Sequence, residues 1–178
     1  SLEIILATRL AMGDNLFQGT SRYAQRNYYI GQSKFEVKGD NFYARVYYTR
    51  NDAGNSYDLT TTGIALNEES TPFGVWLDSY FNELVKTGSI GSIVDARRVA
   101  DANRLTPGTE TFQNAFNTIT NTKITEGGSK IYDRSSYIHA DGNYNFASLV
   151  NDWADIQIGG SFRQYNPDSQ GTIFNDAN

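Results

Sequence analysis

The chain has 178 residues and a formal charge of −5, which argues against a nucleic-acid binder, because its lysines and arginines are scattered and form no basic stripe. A hydrophobic fraction of 39%, with 12 Tyr, 10 Phe and 16 Gly but only 3 Pro, suits aromatic-rich strands joined by polar loops better than a large aliphatic core. The absence of cysteine excludes disulfides, thiolate metal sites and a cysteine nucleophile, and no apolar run is long enough for a membrane-crossing helix, which says nothing against strands that cross.

Taken in order, Glu3 to Met12 alternates, with Ile4, Leu6, Thr8, Leu10 and Met12 on one side. Gly13 to Asn27 reads as a long connection, rich in turn formers. Tyr28 to Arg50 predicts a β-hairpin turning at Gly39-Asp40-Asn41, with Phe35 and Val37 on one face of the first arm and Phe42, Ala44, Val46 and Tyr48 on one face of the second. Asn51 to Glu69 opens with turn formers and reads as irregular or weakly extended. The period then changes. Phe73, Trp76, Leu77, Tyr80, Phe81, Leu84 and Val85 fall on one helical stripe, with Thr71 as N-cap, Pro72 at the first helical position and Gly88 as the stop. Ser92 with Asp95 resembles a capping box before a second helix carrying Ile93, Ala96, Val99 and Ala100. Thr106-Pro107 opens a third, with Phe112, Ala115, Phe116 and Ile119 inward, and Gly127-Gly128 marks the return. Alternation resumes from Ser135, turns near Val150 to Asp152, and continues from Trp153 to Tyr165.

The fold expected is mainly β with a helical insertion: antiparallel meander strands plus a long loop, residues 67–130, holding about three short helices. Connections alternate long and short, and each hairpin arm has about ten residues, the length that crosses a bilayer as a tilted strand. Transmembrane barrels are built this way, with short periplasmic turns and long extracellular loops. The chain starts inside a strand pattern and ends in a polar loop, so 1–178 reads as part of the barrel region of a larger protein.

Several segments carry a likeness: Gly13-Asp14-Asn15-Leu16-Phe17-Gln18-Gly19, Ser21-Arg22-Tyr23, Asp52-Ala53-Gly54-Asn55-Ser56-Tyr57, Ile138 to Phe146, Gly160 to Asn166 and Gly171-Thr172-Ile173-Phe174. They resemble the barrel region of TonB-dependent outer-membrane receptors, in the subgroup with a carboxypeptidase-regulatory-like N-terminal domain. The resemblance implies energy-coupled solute uptake across the outer membrane of a Gram-negative bacterium. It also implies the partners: outer-membrane lipid, the receptor's own plug domain and remaining strands, a TonB-type energising protein acting through an N-terminal part outside this sequence, and in some members a surface lipoprotein. Such barrels have about 22 strands, against about five here.

Within that frame Leu6, Leu10, Phe35, Val37, Phe42, Val46, Ile138, Ile156, Ile158 and Phe162 are the lipid-facing candidates. Glu3, Arg9, Lys34, Glu36, Arg45, Asp155 and Arg163 are the lumen-facing ones, since a charge facing hydrocarbon is costly. Trp76 and Tyr80 are candidates for extracellular ligand contact, against a local core as the commoner use of such a stripe.

Catalysis finds no support. His139, the only histidine, lies on the polar side of a strand without assembled partners, and the carboxylates Asp78, Glu83, Asp95 and Asp101 have no spacing that selects them. No nucleophile elbow, Walker loop or dinucleotide fingerprint occurs, so the expectation is a non-enzyme without a cofactor. Calcium in the oxygen-rich loop near Asp52, Asn55, Ser56 and Asp58 is the one metal considered, with a spacing unlike an EF-hand. Asp168, Gln170 and Asp176 read as a solvated turn. The rival reading is a soluble α+β ligand-binding module of carbohydrate type, its alternating faces packed on the helices.

Overall fold

The computed structural model describes residues 1–86, 91–147, 154 and 156–177. It is mainly antiparallel β, with β1 (Glu3–Gln18), β2 (Arg22–Lys38), β3 (Phe42–Asp52), a two-residue β4 (Tyr57–Asp58), β5 (Ser136–Asn145) and β6 (Gln157–Asn166). Four helices lie between β4 and β5: α1 (Leu59–Ser70), α2 (Phe73–Val85), α3 (Ile93–Ala100) and α4 (Glu110–Asn121), followed by one turn of 3-10 helix, Ile124–Glu126. The sheet order is β1-β2-β3-β5-β6, with β4 paired to β2. The chain divides into two compact units, Ser1–Asn15 with Gln25–Ser56 and Ile131–Asn178, and Leu16–Ala24 with Tyr57–Lys130.

In the first unit the expected hairpin is present, with Lys38 opposite Tyr43 beside the turn and Tyr29 opposite Asp52 at the far end. β3 pairs with β5 from Phe42–Tyr144 to Arg50–Ser136, and β5 with β6 from Asn145–Gln157 to Ser136–Asn166. A meander of this kind satisfies every inner strand by its neighbours and leaves β1 and β6 as edges. No large apolar side chain is buried in this unit among the described residues; Ser169 is fully enclosed instead, its Oγ donating to Asp176 Oδ1 at 2.7 Å.

Gly13 to Asn27 differs from its expected form. β1 and β2 continue through most of it, and only residues 19–21 turn. Polar residues here disguise a ladder: Arg26 pairs with Asp14 at 3.1 Å, the Asn27 N–H donates to the same carboxylate at 2.7 Å, and the rings of Phe17 and Tyr23 stack 6.2 Å apart. Asn27 takes a left-handed φ of 52°, a conformation Asn tolerates better than most residues.

The second unit holds the helices, and the expected boundary at residue 67 falls inside α1, which composition had concealed. Its first turns, Leu59-Thr60-Thr61-Thr62-Gly63, are poor helix formers with almost no amphipathic stripe. The cap supplies what propensity lacks. Asp58 Oδ1 accepts from the Thr61 N–H at 2.8 Å and from Ser21 Oγ at 2.9 Å, while Thr62 Oγ1 donates to the Asp58 carbonyl and meets Ser129 Oγ at 2.7 Å. Asp58, Thr62 and Ser129 are nearly sealed from water and all three are paired.

Thr71 does not cap α2. Its Oγ1 is buried without a partner, and the first turn is held instead by Glu68 Oε1, which accepts from the Phe73 N–H at 3.2 Å. Ser92 caps α3 as expected, through the Asp95 N–H at 3.3 Å, whereas α4 starts three residues after Thr106-Pro107, capped by Thr109 through the Phe112 N–H. In α3 only Ala96 and Ala100 are buried; Ile93 is 63% exposed. Gly127 has φ +88°, and a Cβ on Gly128 would lie 2.1 Å from the Thr122 carbonyl oxygen, so the return turn needs both glycines. Gly88, the Val150 to Asp152 turn, Trp153 and Asp155 lie outside the described residues.

Candidate functional site

Strand register builds the candidate site, because residues opposite one another share a face. On one side of β2, β3, β5 and β6, Phe35, Val46, Ala140 and Phe162 form a row. Val37, Ala44, Gly142 and Gly160 form the next, and Phe42, Tyr144 and Ile158 the row nearest the hairpin turn, where the Phe42 and Tyr144 rings stack 6.5 Å apart. In the other direction come Ser33, Tyr48, Ile138 and Gln164, then Gly31, Arg50, Ser136 and Asn166. Apolar character therefore runs from the Phe42 row to the Tyr48 row and stops at Arg50, about 27 Å along the strand from Phe42 at the usual rise per residue.

β1 extends this face. Thr8 Oγ1 lies 3.4 Å from Ser33 Oγ, which puts the alternate residues Leu6 and Leu10 on the apolar side, and Lys38 Nζ lies 3.6 Å from Glu3, which puts Glu3 and, by alternation, Arg9 on the other. These apolar side chains meet no covering layer within the unit: Leu6 is 78% exposed and Phe162 61%. Ile156 directly precedes β6, its carbonyl accepting from the Phe146 N–H at 2.8 Å.

The opposite face is a lattice of charges and rings. Arg45 Nε spans both oxygens of Asp141, at 2.8 and 2.9 Å, and its guanidinium lies 5.0 Å from the Tyr43 ring centre and 5.8 Å from that of Tyr47. Lys34 pairs with Glu36 at 2.6 Å. His139 stacks on Tyr47 at 6.2 Å, lies 3.6 Å from Asp141, and accepts at Nδ1 from Arg163 Nε at 3.4 Å. Arg163 also donates to the Tyr165 hydroxyl at 3.0 Å and stands over Tyr137. Lys34, Glu36, Arg45 and Arg163 are thus brought together on one surface. Asp141 and His139 are the hubs of this face, which strand alternation does not reveal; the alternation Tyr43-x-Arg45-x-Tyr47 is the sequence signal for the ring-flanked arginine.

In the helical unit, Trp76 lies between Phe73, 6.3 Å away, and Tyr80, 5.3 Å away, with ring planes within 13° of parallel. Trp76 is also tied down. Its indole N–H donates to Asp101 Oδ1 at 2.8 Å, and Arg104 covers its ring at 5.9 Å. That indole bond, and after it the Arg104 guanidinium, hold the Asp101 carboxyl below the usual carboxylate range. Phe73 and Phe81 stay more than half exposed.

The loop considered for calcium has its carboxylate occupied: Asp52 accepts from the Gly54 N–H at 2.9 Å and pairs with Arg134 at 3.1 Å. Among the described residues no three His, Asp or Glu side chains are grouped as metal ligands would be. Asp176 accepts from the backbone N–H of Ser169, from its hydroxyl and from the Gly171 N–H, bonds that lower its carboxyl pKa, so this acid orders the final turn.

The fold and the faces define a single-layer antiparallel sheet, apolar on one side and ionic on the other. No family model, curated protein or solved structure matches the chain.

Proposed function

We propose that this chain is a stretch of transmembrane wall, with its outer helical insertion, from a TonB-dependent outer-membrane receptor that takes up solute with energy coupled from the inner membrane. One observation carries the reading: the apolar residues of five strands fall on one side and the charged lattice on the other. An uncovered apolar face of this size in a strand meander fits a lipid-facing wall. The apolar rows from Phe42 to Tyr48 span about 20 Å along the strand, or about 16 Å of height at a barrel tilt of about 40°, which fits within the apolar band of about 25 Å that outer-membrane barrels present. Leu6, Leu10, Phe35, Val37, Phe42, Val46, Ile138, Ile156, Ile158 and Phe162 then face lipid. Glu3, Arg9, Lys34, Glu36, Arg45 and Arg163 face the lumen, where the pairs Glu3–Lys38, Lys34–Glu36 and Arg45–Asp141 lower the cost of holding charge next to a membrane and where plug and further strands complete the barrel. The Gly39-Asp40-Asn41 turn is periplasmic and the helical insertion belongs to an extracellular loop, with Trp76 and Tyr80 as its ligand-contact candidates. The open edges of β1 and β6 accept the remaining strands.

Because the chain has no cysteine, single nitroxide labels can be placed directly. Labels at Phe35, Val46 and Phe162 in membrane-inserted protein should be accessible to oxygen and shielded from a water-soluble nickel complex, with the reverse at Ser161. Water contact at the first three positions overturns the assignment and favours a soluble binding module.

A further inference from the structure

Arg50 is the residue that the two-faced division leaves over. It stands in β3 on the apolar side, in the row of Gly31, Ser136 and Asn166, one step beyond Tyr48. The cations Lys34, Lys38, Arg45 and Arg163 all fall in rows of the opposite face. Arg50 is exposed, and no hydrogen bond or ion pair engages its guanidinium among the described residues. The acid two residues further along the same side, Asp52, is already held by Arg134 and the Gly54 N–H. At the other end of the apolar rows, Phe42, Tyr144 and Ile158 carry no charge. Among the described residues the band is therefore asymmetric, with a free cation at the Arg50 margin and none in the Phe42 row.

An arginine on a lipid-facing surface is tolerated at the interface and not at the midplane, so its height marks where hydrocarbon gives way to head groups. A planar guanidinium matches two phosphate oxygens at once. The Ser136 hydroxyl, on the neighbouring strand about 5 Å away, and the Asn166 amide, one strand further, add donors along the same line. We propose that Arg50, with Ser136 and Asn166 beside it, docks the phosphate of an anionic lipid head group in the leaflet away from the Gly39-Asp40-Asn41 turn. The proposal rests on the wall assignment above, and it adds a fixed lipid contact that sets the depth of the wall.

The test is lipid selection by the full chain reconstituted in phosphatidylcholine vesicles carrying either spin-labelled phosphatidic acid or spin-labelled phosphatidylcholine. The motionally restricted fraction should favour phosphatidic acid by about fivefold, the contribution expected of one basic residue near an anionic head group. Arg50→Gln should remove that preference while leaving restricted phosphatidylcholine unchanged, which reports intact insertion. Arg50→Lys should keep part of it, and Arg163→Gln, on the other face, all of it. Restricted phosphatidylcholine without a preference for phosphatidic acid, or a preference that survives Arg50→Gln, overturns the docking point and leaves the wall standing. Absence of any restricted lipid overturns both.

Discussion

Phe162 and Ser161 are neighbours in β6 and point to opposite sides of the sheet, Phe162 in the row of Val46 and Ser161 in that of Arg45 and Asp141. Both are exposed positions on an edge strand, so in a protein surrounded by water an arginine at either would change stability by no more than about 0.5 kcal/mol. The wall assignment separates them. Phe162→Arg places a guanidinium near the middle of the apolar rows, costing about 2 to 4 kcal/mol, and forfeits about 2 kcal/mol of aromatic transfer, about 4 to 6 kcal/mol in all. Ser161→Arg puts the same charge beside Asp141 and should be close to neutral. Folding free energies of both variants from urea titration in lipid vesicles measure the gap. A difference under about 1 kcal/mol between the two would refute the two-faced wall, because the parity of one residue is then of no consequence.

Three further predictions concern the helical unit. Asp58→Ala removes the α1 cap and the acceptor of Ser21, and should destabilise this unit by about 1 to 2 kcal/mol, seen as loss of helical circular dichroism at lower denaturant. Gly128→Ala drives a Cβ into the Thr122 carbonyl and should cost about 1 to 3 kcal/mol by the same measurement, whereas Gly63→Ala, with open space around it in α1, should stabilise by about 0.5 to 1 kcal/mol. The Asp101 carboxyl, held low by Trp76 and Arg104, contributes stability that is complete above about pH 4 and is lost as pH falls through its lower folded value. In a Trp153→Phe background, the Trp76 emission should be flat above that pH and change below it, and Asp101→Asn should abolish the acid step.

Much of the sheet was legible in the chain because a strand's period of two is local. Phe35 against Lys34, or Val46 against Arg45, assigns a face without knowledge of any partner. The Gly39-Asp40-Asn41 turn was equally plain. Residues 13–27 are illegible as strand because their polar composition resembles a loop, and only the partner strand reveals Asp14 reaching Arg26 and Asn27. Helix α1 escaped for the opposite reason. Its Thr and Gly residues disfavour a helix locally, and the bonds that secure it come from Ser21 and Ser129, far away in sequence. Thr71 and Glu68 exchanged roles at the start of α2 because capping depends on the direction in which the chain enters, which residue type does not fix.

The amino-acid sequence by itself determined the alternation of the strands, the helical stripe of Phe73, Trp76 and Tyr80, and the separation of charged from apolar residues, all properties of a residue and its near neighbours. Only the tertiary structure decided who meets whom. Strand register joined Arg45 to Asp141, 96 positions away, gathered His139 and Arg163 into the same lattice, and left Arg50 alone at the margin of the apolar rows. Register is a long-range quantity, selected by summed pairing across whole strands, and no local period contains it.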